Sequence, residues 1–367
     1  MTKTVLVNGC FLLQRISGVQ RYAGELLSAL ARLPQDKYKL LLAVPGIKRN
    51  VFQEIPGVEM FFDGARVSPA VWTQINLPVL AKKMGVSAIW SPCNIGPVFP
   101  GRRHIVTVFD GSIYNDARWF DWKFKAYYKT IFSRYKSNVA RVITCSNFSR
   151  GEIVKHLGIP QEKIDVVYAA IPRSFGATGG SSPIEGRYLL SLGSRDPRKN
   201  VGSLIAAWKR LPVSVKNGRR LVIAGGGNGT FAEEKLRPDT EDIVFTGYLP
   251  EESLPAFYSN AECFIYPSLY EGFGLPPLEA MACGCPVVVS RCASLPEVCG
   301  EGAYYVDPNS VDSIASGIRD VLTNSRLKEE LASKGRLQAK KFDWDISAAK
   351  ALQSFDRAFE QSAAWTL

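Results

Sequence analysis

Glu271-Gly272-Phe273-Gly274-Leu275-Pro276-Pro277-Leu278-Glu279-Ala280-Met281-Ala282 stands between two short apolar runs, Cys263–Tyr266 and Val287–Val289. A run, a glycine loop, a helical stretch and a second run make a strand–helix–strand crossover, so the strands are parallel and the class is α/β. Glycines at 272 and 274 let the backbone approach a ligand, and Pro277 suits the first turn of a helix, where its missing N–H costs nothing. The helix is therefore predicted over Pro277–Ala282. Main-chain N–H groups and the positive end of the helix dipole then form a place for a diphosphate. Glu271 lies before it and Glu279 in the first turn after it. Carboxylates repel phosphate but accept hydrogen bonds from hydroxyls, so a sugar on one side and a ribose on the other fit the pattern. An ordinary capped helix with two solvent-facing glutamates is the plainer reading of the same residues.

Outward from this stretch, Leu192-Gly193-Ser194-Arg195-Asp196-Pro197-Arg198-Lys199-Asn200 puts clustered cations at another strand end before another helix. Lys199 is the residue expected to reach a phosphate, as a point charge; plain surface charge is the alternative. Ala224-Gly225-Gly226-Gly227-Asn228-Gly229 contains Gly227-x-Gly229-x-x-Ala232, a weak dinucleotide fingerprint. No acid closes the following strand Ile243–Phe245 to hold a ribose hydroxyl, so a tight turn for helix packing or base contact is the better reading of that loop.

The alternation extends in both directions. Tyr188–Leu192 and Leu221–Ala224 are further strands of the second half, with helices at Val201–Leu211 and Glu252–Tyr258. The first half repeats the pattern: strand Lys3–Val7, glycines 9 and 18, a helix from Gln20 to Leu33, then strands Lys39–Val44, Ala88–Trp90, Ile105–Phe109 and Ala140–Cys145. Gly176-Ala177-Thr178-Gly179-Gly180-Ser181-Ser182-Pro183 is the linker between them. Two doubly wound domains are expected, residues 1–175 and 184–345, facing across a cleft, with a last helix from Ile346 packing back on the first. The length of 367 residues supports two such cores.

Composition narrows the function. Residues 1–175 carry 24 Lys and Arg against 11 Asp and Glu, and residues 176–367 carry 21 against 23, so the net +11 belongs to the first half. Such a half faces an anionic partner, nucleic acid or an acidic membrane surface, or is simply a solvated basic surface. Eight cysteines without a leader or a bilayer-length apolar run lead us to expect a reducing cytoplasm. Cys283, Cys285, Cys292 and Cys299 cluster, but their spacing is not that of a zinc ribbon or knuckle, and structural thiols are expected. His104 and His156 are the only histidines, which disfavours a Ser-His-Asp hydrolase or a histidine-rich metal enzyme. Asp343-Trp344-Asp345 spells a metal-binding D-x-D, yet it stands just before a helix, where Asp is a routine cap; no metal or other cofactor is expected.

Arg118–Lys136 interleaves Trp119, Phe120, Trp122, Phe124, Tyr127, Tyr128, Phe132 and Tyr135 with six basic residues and only Asp121 as acid. An aromatic and basic helix settles at an anionic bilayer surface, or its rings pack in a core.

Taken together, Glu271 through Glu279 with Ala282-Cys283-Gly284-Cys285-Pro286-Val287-Val288 resemble the E-x7-E signature of retaining glycosyltransferases of family 4, which have the GT-B fold. Pro197-Arg198-Lys199-Asn200, Thr246-Gly247-Tyr248-Leu249, Leu295-Pro296-Glu297-Val298, Val306-Asp307-Pro308 and Phe342-Asp343-Trp344 occur in the family's order. Ser17-Gly18-Val19-Gln20-Arg21-Tyr22 and Thr144-Cys145-Ser146-Asn147-Phe148-Ser149 resemble the mannosyltransferase and rhamnosyltransferase branch of bacterial polysaccharide synthesis. The resemblance implies transfer of a sugar from a nucleotide-sugar substrate to a hydroxyl, with retention and without metal. It assigns catalytic roles to Lys199, Glu271 and Asp110. Around the donor it places Gly18, Phe109, Ser194, Arg195, Arg198, Tyr248, Leu249, Phe273, Gly274, Leu275 and Glu279, with Glu271 on sugar hydroxyls, Glu279 on the ribose, Lys199 on the diphosphate, and Tyr248 and Leu249 beside the base.

Two positions depart from the family pattern. Ser194 stands where an arginine is usual, with Arg195 one step off, and Val108-Phe109-Asp110 replaces a usual Val-His-Asp. A phenyl ring cannot hydrogen-bond a C6 hydroxyl but packs on a methyl, so a 6-deoxyhexose donor such as GDP-rhamnose or GDP-fucose is expected over GDP-mannose, unless the replacement is harmless and the site still takes mannose. The expected partners are this donor, a lipid-linked glycan acceptor and the inner membrane surface, with no nucleic acid. An epimerase or phosphorylase on the same fold, or a basic nucleic-acid-binding protein, are the competing readings.

Overall fold

The computed structural model describes residues 2–14, 17–34, 36–46, 55–115, 119–176, 181–193, 196–225 and 240–360. The chain forms two compact units. Unit 1 comprises Met1–Tyr114, Lys125–Ala170 and Asp343–Leu367, and unit 2 comprises Asn115–Phe124 and Ile171–Phe342.

Unit 1 holds seven strands: β1 (Lys3–Asn8), β2 (Tyr38–Pro45), β3 (Glu59–Asp63), β4 (Ala88–Ser91), β5 (Arg103–Thr107), β6 (Arg141–Thr144) and β7 (Ile164–Val166). They pair in parallel in the order β3-β2-β1-β4-β5-β6-β7. The inner strands are covered on both faces, which is why they read as unbroken apolar runs such as Val5-Leu6-Val7. The helix Gly18–Arg32 lays Tyr22, Leu26, Leu27 and Leu30 into this core. The helix Trp344–Glu360 returns to the same unit, with Trp344 edge-on to Tyr22 and Phe355 edge-on to Trp90.

Unit 2 holds six parallel strands: β8 (Tyr188–Leu192), β9 (Arg220–Ala224), β10 (Ile243–Gly247), β11 (Cys263–Tyr266), β12 (Val287–Ser290) and β13 (Ala303–Val306). Their order is β10-β9-β8-β11-β12-β13. The core under them joins Leu204 and Trp208 of the helix Val201–Arg210 to Ile223, Ile265, Val288, Ile314 and Ile318. After β8 the chain runs outward to β9 and β10, then returns to lay β11 on the other side of β8, with Leu189 opposite Cys263. The loops leaving β8 and β11 therefore diverge at their carboxyl ends, the switch point at which open α/β sheets bind ligands.

The structure differs from the sequence expectation in definite places. It adds β3, β7 and β13, each an edge strand; β3 and β13 are largely half-exposed, so their apolar signal is diluted, and β7 is only three residues long. The helix after β11 begins at Leu275 rather than Pro277. Residues 115–124 cluster with unit 2 although the chain on either side of them belongs to unit 1, so a single cut near residue 175 does not describe the units. Of the expected linker, residues 177–180 lie outside the described residues, as do residues 361–363 of the last helix.

Candidate active site

The first wall of the site grows from the end of β8. Gly193 has φ +100, and a Cβ there would stand 2.6 Å from Cγ of Lys199, so glycine is what lets the lysine stem pass over the strand end. Asp196 caps the short turn Pro197–Lys199, accepting the Arg198 N–H at 3.0 Å, and its carboxylate holds the Arg198 guanidinium through Nε at 3.1 Å and Nη2 at 2.7 Å. Burial on its own would raise the Asp196 carboxyl, yet Arg198 and then Lys199 outweigh it and hold it below the usual carboxylate range. Asn200, at φ +57, donates to the Pro267 carbonyl at 3.1 Å and the Pro308 carbonyl at 2.7 Å, tying this turn to the loops beyond β11 and β13.

The second wall follows β11. Leu269 donates its N–H to the Arg198 carbonyl at 2.7 Å, so the two loops are joined by main chain. Lys199 Nζ then lies 2.6 Å from Glu271 Oε1 and 2.5 Å from the Tyr266 hydroxyl. Ser268 donates to the same Glu271 oxygen at 2.6 Å. Burial and the Glu271 carboxylate together push the Tyr266 phenol well above its ordinary value, so it stays a neutral donor. Ser294, fully buried, sits within hydrogen-bond distance of the Glu271 and Phe273 carbonyls, at 2.9 and 2.7 Å, and fixes the loop between them.

Gly274 caps the helix Leu275–Ala282 at φ +104. Pro276 and Pro277 occupy its second and third positions and carry no N–H, which leaves Gly274 and Leu275 to supply main-chain donors at this end. The earlier start of the helix places Glu279 in its second turn, not its first. Glu279 is 1% exposed, with Oε2 accepting from the buried Tyr258 hydroxyl at 2.9 Å.

Of the residues expected in unit 2, the structure brings Lys199, Glu271, Gly274 and Leu275 to the carboxyl ends of two adjacent strands, and Phe273 lies in the same loop. Tyr248 and Leu249 follow β10, two strands from β8, about 10 Å across the sheet. Tyr248 is 53% exposed there. Arg198 belongs to the turn but has its guanidinium on Asp196. Ser194, Arg195 and the glycine loop from Gly226 to Ala232 lie outside the described residues. In unit 1, Gly18 opens its helix; Phe109 is buried edge-on to Tyr22 at 5.0 Å with its N–H on Asn94; and Asp110 accepts the Ser112 N–H at 2.9 Å. Sequence reasoning does not single out Tyr266, Ser268, Ser294 or Asp196, although Tyr266 closes a switch-point strand and Asp196 precedes the cations.

The clustered cysteines are separate free thiols, buried at 283, 285 and 299 and half-buried at 292. Cys283 donates to the Phe175 carbonyl at 3.1 Å and Cys292 to that of Ser268 at 3.3 Å, and burial pushes them up to about 12 and about 11. Among the described residues no three His, Cys, Asp or Glu side chains group as metal ligands. His104 is buried with Nε2 on Ser91, and burial lowers it to about 3, so it stays neutral.

Comparison with known proteins bears on this geometry. Residues 180–338 match the family described as glycosyl transferases group 1, and residues 16–175 match glycosyltransferase family 4. The O-antigen chain mannosyltransferase B of Escherichia coli is 32% identical over 269 residues, 69% of this chain and 70% of that protein. The serotype-specific mannosyltransferase WbdA of Escherichia coli is 29% identical over 66% of this chain, which corresponds to 32% of its own length. The sucrose-phosphate synthase of Thermosynechococcus elongatus shares the fold, with a TM-score of 0.73 over 98% of this chain and 100% of that chain, at 18% identity.

Proposed function

Because this chain belongs to glycosyltransferase family 4, with the two Rossmann-like domains of the GT-B class, we propose that it moves a mannose-type hexose or its 6-deoxy form from a GDP-linked donor to a hydroxyl of a lipid-linked glycan, as a step of cell-surface polysaccharide synthesis. The observation that carries the reading is the Lys199–Glu271 pair, 2.6 Å apart and largely buried, beside the Gly274 and Leu275 N–H groups.

The chemistry follows from what these groups offer. The bond from the anomeric carbon to the diphosphate oxygen breaks, and its electron pair goes to the leaving oxygen. Lys199 and the helix-start N–H groups meet the negative charge where it develops, in a site poor in water. Glu271, released from Lys199 and aligned by Ser268 and Tyr266, accepts the sugar hydroxyls. The acceptor oxygen bonds to the same face of the carbon and gives its proton to the departing phosphate, so configuration is retained and no enzyme nucleophile is needed. The cationic task is met by Lys199, so the reaction proceeds without metal. Asp343 supports this, since its Oδ1 accepts the N–H groups of Asp345 and Ile346 at 2.8 and 3.1 Å as a helix cap.

Donor choice is tested by release of nucleoside diphosphate, in EDTA, from GDP-mannose and GDP-rhamnose, each with and without glycan acceptor. The residue that the family pattern assigns to the C6 hydroxyl is Phe109, which has no polar side-chain atom. The expected result is acceptor-dependent release with kcat/KM for the 6-deoxy donor at least equal to that for mannose. A hundredfold preference for GDP-mannose sinks the donor assignment; no release of nucleoside diphosphate even with acceptor points to an epimerase or phosphorylase instead.

We place the enzyme at the cytoplasmic face of an anionic membrane. Among the described residues no helix is long and apolar enough to cross a bilayer. In the helix Trp122–Asn138, Phe132 and Tyr135 are buried, whereas Trp122 is 68% and Tyr127 36% exposed among the exposed cations Lys123, Lys129, Arg134 and Lys136. With about 1 kcal/mol per basic residue at such a surface, Lys123→Gln with Lys129→Gln should weaken flotation on phosphatidylglycerol vesicles roughly 10- to 30-fold. Equal flotation on neutral and anionic vesicles speaks against the membrane reading.

A further inference from the structure

Residues 119–124 cluster with unit 2 although the chain after them belongs to unit 1, and their two buried aromatics, Trp119 and Phe120, land on Tyr270 and Arg198, the residues next to the pair at the strand ends. Trp119 and Phe120 are 8% and 7% exposed, whereas Asp121, Trp122 and Lys123, next along the chain, are exposed. Phe120 faces the Arg198 guanidinium at 5.6 Å and stacks on Phe124 at 5.4 Å with the rings 8° apart. Trp119 lies 5.8 Å from Tyr270, which is itself buried. Arg198 immediately precedes Lys199, and Tyr270 immediately precedes Glu271.

We propose that Trp119 and Phe120 are positioning residues that hold Lys199 and Glu271 in register from behind. Their described contacts are to the residues next to the pair, Arg198 and Tyr270. Phe120 acts through Arg198, whose side chain is fixed by Asp196 and whose carbonyl receives the Leu269 N–H, so a shift at Arg198 moves both loops. Covering that guanidinium with a ring excludes water and strengthens its pairing with Asp196. Trp119 acts through Tyr270, limiting the sideways motion of the loop that presents Glu271. The brace explains why an aromatic pair is buried in a segment whose neighbouring residues 121–123 lie exposed.

The inference rests on Lys199 and Glu271 forming the donor site, and its test is built to fail separately from that reading. Donor and acceptor KM and kcat are measured for Phe120→Ala, Trp119→Ala, Phe120→Tyr, Trp119→Phe and, as the control, Lys199→Ala. Loss of correctly folded enzyme lowers kcat alone. Misplacement of the pair raises donor KM as well, leaves acceptor KM in place and is repaired by another ring. The expected result is a fall of about 10- to 100-fold in donor kcat/KM for each alanine variant, with donor KM raised, and recovery to within a few-fold for Tyr at 120 and Phe at 119. If Lys199→Ala is inactive while both alanine variants keep wild-type donor kcat/KM, the brace is wrong and the site stands. If the alanine and aromatic variants are equally impaired, or only kcat falls, the role is structural and the proposal is overturned. If Lys199→Ala is fully active, the donor site itself is misassigned, and the brace with it. Should an alanine variant not fold, Phe120→Leu and Trp119→Leu keep apolar volume without a ring, and unchanged donor KM in both overturns the proposal.

Discussion

Lys199→Ala should lower kcat about 10²- to 10³-fold, the scale seen when one preorganised charge or donor is removed from a developing oxyanion. The reason is local. Lys199 Nζ is held between Glu271 and Tyr266, with little solvent to replace it, so nothing else in the described turn can carry its charge to a leaving phosphate. Arg198 is adjacent, but its guanidinium is committed to Asp196. Fold stability should change much less than activity, because Glu271 keeps the hydrogen bond from Ser268 when the lysine is cut back. Thermal unfolding and single-turnover kinetics of the same preparation separate the two effects. A near-normal kcat in a folded variant removes Lys199 from the site.

Gly274→Ala is expected to be the second most damaging single change, through the backbone. A φ of +104 is one that side chains rarely adopt, and the added Cβ would stand 2.8 Å from Cδ2 of Leu295. The strain amounts to roughly 1–3 kcal/mol. Relief requires the loop to move, which carries the Gly274 and Leu275 N–H groups away from their aim, and a displacement near 1 Å costs on the order of 10²-fold in rate. Gly151→Ala provides the contrast. Gly151 lies in the helix Asn147–Leu157, where an added Cβ would meet nothing within 4 Å, so alanine there should be neutral or stabilise by up to about 1 kcal/mol. A Gly274→Ala enzyme with wild-type kcat/KM and unchanged melting temperature would contradict the role given to this helix start.

Much of the fold is legible in the sequence. Apolar runs such as Cys263–Tyr266 and Val287–Val289 mark buried parallel strands because both of their faces are covered. Glu59–Asp63 escapes notice because its residues are exposed or half-exposed, and Ala303–Val306 because it is only four residues long with its middle two half-exposed, whereas the edge strand Ile243–Gly247 is read from its apolar run. The sequence pattern puts the helix start two residues late, because Pro277 alone suits a first turn, whereas Leu275-Pro276-Pro277 together form it. The consequence falls on Glu279, which sits one turn deeper and almost wholly buried. The sequence favours Lys199 over its neighbour Arg198 for the phosphate, and the structure shows what separates the two. The carboxylate of Asp196, two residues before Arg198, claims the arginine and leaves the lysine to reach the next strand's loop.

Periodicity and turn chemistry act over a few residues, and they are enough to settle two α/β domains, parallel strands, a glycine-dependent loop and a helix opened by prolines. Which loops meet depends on strand order. Only the placement of β11 beside β8 brings an ammonium within 2.6 Å of a carboxylate 72 positions further along the chain. The same holds for Trp119 and Phe120, whose burial depends on surfaces supplied by residues far away in sequence. Local propensity is blind to such contacts because their free energy arises from long-range packing and exclusion of water, which exist only once the sheet of that unit has formed.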